Sequence, residues 1–302
     1  MTSLPPHRVV SVLGVDLHWV EFGKGPPLVL LHGLCDSSWT WLSVAPALAR
    51  SRRVLMLDLP GHGLSARPDA SYSLEWHARM VGGWLGALGL ERVDVVGHSF
   101  GGGVAQWLLL EHRACVRRLA LVATGGLGRE VGFPLRFASI PFFVERFGQP
   151  FMARGTKVAL SAAGGAFGPE DIAQLARLNA IAGTARAFSR SVRDVIDWRG
   201  QIRHFLDRAY EVDDLPPLAV FWGEEDPLIP VRQAVESAAL LEGVTLTRFA
   251  GCGHFPHRQE PERFVRELEA FLDAPSLPGA RVREEAVAAY RARHPQRSSP
   301  RG

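Results

Sequence analysis

Ser99 is the residue whose surroundings point most directly to chemistry. It stands in Gly97-His98-Ser99-Phe100-Gly101, with the apolar, β-branched run Val93-Asp94-Val95-Val96 before it and a helical pattern, Val104 to Leu110, after it. A strand that becomes a helix within about three residues leaves no room for a loop. The turn residue is then strained, and its neighbours two positions away on each side must be nearly side-chain-free. Gly97 and Gly101 meet that demand. The hydroxyl is held out at a helix N-terminus, where the helix dipole and free backbone N–H groups favour developing negative charge.

A serine hydroxyl is a poor nucleophile until a base removes its proton, and the base needs an orienting carboxylate. Two later loops offer both. Gly223-Glu224-Glu225-Asp226-Pro227 follows one strand pattern, and Gly251-Cys252-Gly253-His254-Phe255 follows the last. Both lie at C-terminal strand ends, on the sheet edge that carries Ser99 and where open α/β sheets form their sites. Glu224 and Glu225 are rivals to Asp226 as orienter, and His257 is a rival to His254 as base. His32, His62 and His98 read as loop-holding residues, and Cys35 and Cys252 as small packing residues.

The elements that must position these groups follow from periodicity. Residues 9–13 and 17–22 alternate as two strands around a turn at Gly14-Val15-Asp16. Leu28 to Leu31 and Arg53 to Leu57 are continuous apolar runs of the kind buried on both faces of a parallel sheet. Trp39 to Ala49 reads as a helix with Asp36, Ser37 and Ser38 as candidate caps. Ser73 to Leu88 carries one apolar helical stripe through Trp76, Met80, Trp84, Leu85 and Leu88. Val116 to Val122 is the next strand. After a helix-like stretch the pattern resumes with a strand from Leu215 to Trp222, a helix from Val231 to Leu241, a short strand from Leu246 to Phe249 and a helix from Pro261 to Leu272. Strand and helix alternate, which implies right-handed crossovers and a parallel sheet covered by helices.

With these elements in place, the chain resembles an α/β-hydrolase-fold enzyme of the serine-nucleophile branch, from about residue 12 to residue 272. The motifs that carry the resemblance are His32-Gly33-Leu34, the run from Asp58 to Ser65, Gly97 to Gly102, Gly223 to Pro230 and Gly253-His254, in the family's order. The resemblance implies an α/β fold with a mostly parallel central sheet flanked by helices. It implies Ser99 as nucleophile, Asp226 as orienter and His254 as general base, with oxyanion-binding N–H groups at Leu34 and Phe100. No cofactor and no metal is expected. It also divides the chain into a core of residues 1–124 and 213–274 and a helical cap, 125–212, inserted after the sixth strand. Within the cap, Phe142, Phe143 and Phe147 belong to a phenylalanine cluster that can be cap core or a pocket wall.

Composition narrows the partners. At 302 residues, 47% hydrophobic and 22% charged, the chain can bury a substantial core and is not globally disordered. The net charge of +3 hides an uneven distribution. Residues 275–302 hold six arginines against Glu284 and Glu285, which is +4 and leaves the rest at about −1. The basic balance therefore belongs to an Arg-rich tail and not to a nucleic-acid-binding face. Residues 280–293 read as one short helix, and the rest of the tail as disordered. No apolar run approaches the ~20 residues of a membrane span, and the N-terminus lacks a secretion signal. Three cysteines, Cys35, Cys115 and Cys252, cannot make a disulfide framework, which suits a cytoplasmic protein. The oligomeric state has no signature in the sequence.

The preferred reading is hydrolysis of a small to medium, largely apolar carboxylic ester or lactone through an acyl-enzyme. Serine at 99 argues against haloalkane dehalogenases and epoxide hydrolases, which resemble this pattern but carry aspartate there. Carbon–carbon bond hydrolases of ring-cleavage products show Gly-x-Gly-Pro-Gly after the His-Gly and Asn before the serine, where this chain has Leu34-Cys35-Asp36 and His98. Gly101-Gly102-Gly103 is similar to the run in cofactor-free haloperoxidases, esterases with a perhydrolase side reaction. A hydrolase-fold ligand receptor is the non-enzyme alternative.

Overall fold

The fold, described from a computed structural model, covers residues 7–140, 143–212, 214–275, 277–283 and 288, with Phe137 and Phe143 described in their main chain alone. The early elements are β1 (His7–Val12), β2 (Val15–Phe22), β3 (Pro27–Leu31), α1 (Ala45–Leu48), β4 (Arg53–Leu57) and α2 (Leu74–Ala87). The nucleophile strand and helix follow as β5 (Val93–His98) and α3 (Phe100–Glu111), then β6 (Val116–Val122). Five helices come next: α4 (Phe133–Ala138), α5 (Phe143–Phe147), α6 (Met152–Ser161), α7 (Pro169–Asn179) and α8 (Thr184–Val195). The chain returns through β7 (Leu218–Gly223), α9 (Arg232–Leu240), β8 (Val244–Phe249), α10 (Pro256–Gln259) and α11 (Pro261–Asp273).

These strands form one sheet in the order β1-β2-β4-β3-β5-β6-β7-β8. It is parallel from β4 to β8, while β2 runs antiparallel to both of its neighbours. Successive side chains of a strand point to opposite faces, and the core divides accordingly. Val29, Leu31, Leu55, Leu57 and Val95 pack on the face covered by α2 and α3. Leu28, Leu30, Val54, Met56 and Val96 pack on the other, with Trp41, Phe264 and Leu268. From β3 the chain crosses to β4 on one side, and β5 lies on the other. The C-terminal ends of β3 and β5 therefore flank the point where the winding reverses, the place where such sheets open a crevice.

Several elements depart from the sequence expectation. The first hairpin turns at Leu13-Gly14, with φ of +50° and +80°, and not at Gly14-Val15-Asp16, so Val15 pairs with Val12. A two-residue turn with both residues left-handed matches the twist of the strands. The helix expected over Trp39–Ala49 is broken into a 3-10 turn, Ser38–Trp41, and α1. Pro46 lies in the first turn of α1 and has no N–H to continue a helix from the preceding residues. The Ser37 hydroxyl accepts from Trp39 N at 3.4 Å and caps the 3-10 turn. β7 starts at Leu218 and not Leu215, behind Pro216 and Pro217.

The tail also differs. Residues 280–283 are not helical: Arg281–Val282 pairs antiparallel with Leu241–Glu242, and Ala280 is buried. Ala280 N donates to Pro216 O at 3.2 Å, and Arg283 N to Leu240 O at 3.0 Å. Pro278-Gly279 precedes this stretch, and the last carbonyls of α9 are open to such a partner. The remainder of the expected tail helix lies outside the described residues, apart from Ala288, which is helical.

A chain ended at Ala274 loses these hydrogen bonds and the cover they give Leu215 and Leu241. It should be less stable by about 1–3 kcal/mol, at roughly 0.5–1.5 kcal/mol per hydrogen bond. Urea denaturation reads this directly, and an unchanged midpoint would show that the tail contacts contribute nothing.

Candidate active site

Ser99 has φ +53° and ψ −116°, a left-handed conformation that costs a non-glycine residue about 1–3 kcal/mol. The strain is forced by the crossing of β5 and α3. A Cβ on Gly97 would lie 2.5 Å from Gly101 O, and one on Gly101 would collide with the carbonyls of Leu31 and His32. Hydrogen bonds lock the turn: Ser99 N donates to Val122 O at 2.9 Å, and Ser99 O accepts from Gly102 N at 3.1 Å and Gly125 N at 3.2 Å.

The structure brings the three predicted polar residues together. Ser99 Oγ lies 2.9 Å from His254 Nε2, and His254 Nδ1 lies 2.7 Å from Asp226 Oδ2. An ionised carboxylate can only accept, so Nδ1 carries the imidazole proton and Nε2 is free to accept from the serine hydroxyl. Asp226 Oδ1 accepts from Leu228 N at 2.8 Å and Ile229 N at 3.0 Å, which fixes the plane of the carboxylate. Its rivals stand elsewhere: Glu224 and Glu225 are exposed, and Glu224 pairs with Arg248 at 3.4 Å.

Leu34 and Phe100 flank Ser99. Phe100 opens α3, so its N–H has no acceptor within the helix. Leu34 follows Gly33, where a Cβ would sit only 3.2 Å from Ser99 Cβ. The β3 turn therefore lies against Ser99. Asn179 Nδ2, at the end of α7, donates to Cys35 O at 2.7 Å and ties the helical segment to this turn.

Of the other histidines near the site, His32 and His62 hold main chain and His257 holds a hydroxyl. His32 Nδ1 donates to Gly33 O at 2.7 Å while its Nε2 accepts from Leu59 N at 3.0 Å. His62 Nδ1 lies 3.1 Å from Pro60 O, and His257 Nε2 lies 3.1 Å from Thr40 Oγ1. Burial, and then the charge of Asp36, pushes the Cys35 thiol up to about 12, and burial raises Cys252 as well. Neither sulfur is a ready thiolate. Among the described residues no three His, Cys, Asp or Glu side chains converge as metal ligands.

Of the three phenylalanines expected as cap core or pocket wall, only Phe147 is described with its side chain. Phe142 lies outside the described residues, and Phe143 is described in its backbone alone. Phe147 is 59% exposed, which is not the position of a ring that encloses an apolar chain. Leu34 packs against an apolar cluster built on Val131, Val192 and Ile196, which Leu135, Phe188 and Val195 also join. Its signal was present in the sequence as the helical spacing Ala185, Phe188, Val192, Val195.

A family model described as the alpha/beta hydrolase fold matches residues 26–261. The chain belongs to that family. An uncharacterized protein of Mycobacterium tuberculosis is 38% identical over 261 residues, covering 83% of this chain and 76% of that one. The 2-hydroxy-6-oxo-6-(2'-aminophenyl)hexa-2,4-dienoic acid hydrolase of Metapseudomonas resinovorans is 29% identical over 270 residues, 88% of this chain and 90% of its own. Among solved structures, epoxide hydrolase CorEH superposes with a TM-score of 0.73 at 25% identity, covering 89% of this chain and 98% of that chain. In words broad enough for all of these, the protein is an alpha/beta hydrolase. No described helix is long and apolar enough to cross a membrane.

In this alpha/beta hydrolase the buried imidazoles link the site to acid stability. Burial is the first cause that lowers the pKa of His62, His77, His98 and His257, and His77 falls to about 3. A depressed imidazole pKa means that the unfolded chain binds more protons below about 6.5. Stability must then fall as pH drops through that value, by up to ~1.4 kcal/mol per pH unit for each ring that stays neutral in the fold. The melting temperature should decline steeply from pH 7 to pH 5. A flat profile across that window would mean that these rings protonate without unfolding the protein.

Proposed function

We propose that this alpha/beta hydrolase is a serine hydrolase that cleaves a small to medium apolar carboxylic ester or lactone. The observation that carries the reading is the continuous chain Ser99 Oγ to His254 Nε2 at 2.9 Å and His254 Nδ1 to Asp226 Oδ2 at 2.7 Å. Ser99 Oγ attacks the ester carbonyl carbon as its proton passes to His254 Nε2. Asp226 stabilises the imidazolium, and the N–H groups of Leu34 and Phe100 take up the charge on the carbonyl oxygen. The C–O bond to the alcohol breaks as His254 returns the proton to the leaving oxygen. Water, deprotonated by the same imidazole, then attacks the acyl carbon, and the acid leaves as Ser99 regains its proton. The sum is ester plus water to acid plus alcohol.

Ser99→Ala should lower ester turnover by at least about 10⁴-fold without loss of fold. A fluorophosphonate should label Ser99, as read by mass spectrometry. Labelling at Cys35 or Cys252, or none, would overturn the assignment.

A second reading, carbon–carbon bond hydrolysis of a ring-cleavage product, is favoured by the Metapseudomonas resinovorans relative, which is 29% identical. A panel of chromogenic esters of graded chain length, run beside a ring-cleavage product and a peracid assay, separates the two. Turnover of the ring-cleavage product well above every ester would replace the ester reading.

The catalytic groups meet only the ester function, so acyl selectivity falls to the wall around Leu34. Removing the Phe188 or Val192 side chain should shift the preferred acyl chain to longer homologues. The shift should be about tenfold in relative kcat/KM, the worth of roughly two methylenes at ~0.8 kcal/mol each. Unchanged preference in both alanine variants would move selectivity elsewhere.

A further inference from the structure

The Gly-x-Ser-x-Gly turn constrains glycine and serine but leaves position 98 open, and this chain fills it with histidine. His98 is the last residue of β5, two positions after Val96, so its side chain lies on the face shared by Trp41 and Phe264. It is fully enclosed there, 1% exposed. Its ring stands 4.9 Å from that of His254, 4.9 Å from Phe255 and 4.8 Å from His257, centroid to centroid. Nε2 lies 2.9 Å from the main-chain oxygen of His254. Nδ1 lies 3.1 Å from where a Cβ of Gly33 would be. One ring thus touches the turn that carries Leu34, adjoins Ser99 through the chain and holds the peptide of His254.

The proton on this ring has one place to be. Burial, and then His257 and His254, hold the His98 pKa well below the usual imidazole value, so the ring is neutral. A carbonyl oxygen only accepts, so the single N–H is on Nε2. The His254 loop follows Gly251, whose φ is +73°. Its neighbours are held, with Cys252 O accepting from Glu225 N at 2.9 Å and Gly253 N donating to Gln259 Oε1 at 2.8 Å, and His98 Nε2 supplies the hold on the carbonyl of His254 itself. A misplacement of about 1 Å in a catalytic group can cost roughly 10²-fold in rate.

We infer that His98 is a positioning residue: its Nε2–H holds the His254 carbonyl so that the imidazole reaches Asp226 and Ser99 at once. The inference rests on the Ser99–His254 chemistry proposed above.

The test compares His98→Leu, which removes the donor, with His98→Gln, whose amide N–H reaches about as far as Nε2. Melting temperatures of both are measured first. The Leu variant should lose about 10–100-fold in kcat with KM within about two-fold, as a misplaced base slows chemistry but not binding. The Gln variant should regain most of the loss at a comparable melting temperature. Equal kcat in wild type and Leu variant, a loss confined to KM, or Gln no better than Leu would each overturn the inference. A second readout needs no substrate: the downfield proton resonance of His254 Nδ1–H, identified by its loss in Asp226→Asn. It should be sharp in wild type and the Gln variant and broadened in the Leu variant, and equal sharpness in all three would also overturn the inference. Failure of the ester reading is seen separately, as absence of fluorophosphonate labelling on Ser99 in the wild type, and leaves this proton signal able to decide.

Discussion

The left-handed main chain at Ser99 is the constraint on which the rest of the site depends. Not even a Cβ fits at 97 or 101, because β3, β5 and α3 meet there within van der Waals distance. The strain of about 1–3 kcal/mol is sustained because neighbouring strands grip the turn through Val122 O and Gly125 N. The far end of β5 is fixed as firmly. Asp94 is fully buried and receives Arg52 at 3.2 Å and Arg117 at 2.8 Å. The pair is weak evidence of net stability, but removing one partner would strand a buried charge, and it ties Asp94 to β6 and to the start of β4. β5 is thereby clamped at both ends, and the hydroxyl at its tip inherits that fixity.

From this follows why the other groups come from distant parts of the chain. The crevice at the winding reversal is bounded by the ends of β3 and β5, and the loops leaving β7 and β8 on the same edge bring Asp226 and His254 to it. Asp226 and His254 are therefore 28 residues apart in sequence but 2.7 Å apart in space. The parallel register of β7 and β8, with Gly223 opposite Phe249, sets those two loops side by side. Glu224 N and Glu225 N donate to Phe249 O at 3.0 Å and Cys252 O at 2.9 Å, so the loops that carry Asp226 and His254 are hydrogen-bonded to each other. The Glu225 amide, which contributes no side chain to the site, still helps to place it.

Much of this was legible in the sequence because steric rules are local. Gly97-x-Ser99-x-Gly101 and the continuous apolar strands follow from close backbone packing and led to Ser99; the resemblance to the α/β-hydrolase fold singled out Asp226 and His254 from their neighbours, and the structure brings the three within hydrogen-bond reach. What escaped was of two kinds. Turn and boundary details such as Leu13-Gly14 and the break before Pro46 depend on one or two residues whose effect periodicity averages away. The Arg281–Val282 pairing and the apolar wall on α8 depend on which distant surface lies opposite. A phenylalanine cluster is conspicuous in composition, but Phe147 is 59% exposed while Phe188 and Val192, spaced at helical period, belong to the cluster that Leu34 joins.

The buried imidazoles draw the site's two requirements into opposition. Hydrogen-bond donors act most strongly on developing charge where water is excluded and the local dielectric is low. His62 and His77 pack their rings against Phe100, and His98 and His257 pack theirs around the base, so polar side chains with low charge density line the dry region. His62, His98 and His257 each direct one ring nitrogen to a partner without adding a charge beside His254. In the hydrolysis proposed above, lysine or arginine in these positions would repel the imidazolium of His254, and aspartate would stabilise it so far that the proton is not returned to the leaving group. Neutral histidine avoids both faults at neutral pH. The same burial that keeps it neutral makes its protonation a force toward unfolding, so the environment that favours catalysis also sets the acid limit of the fold.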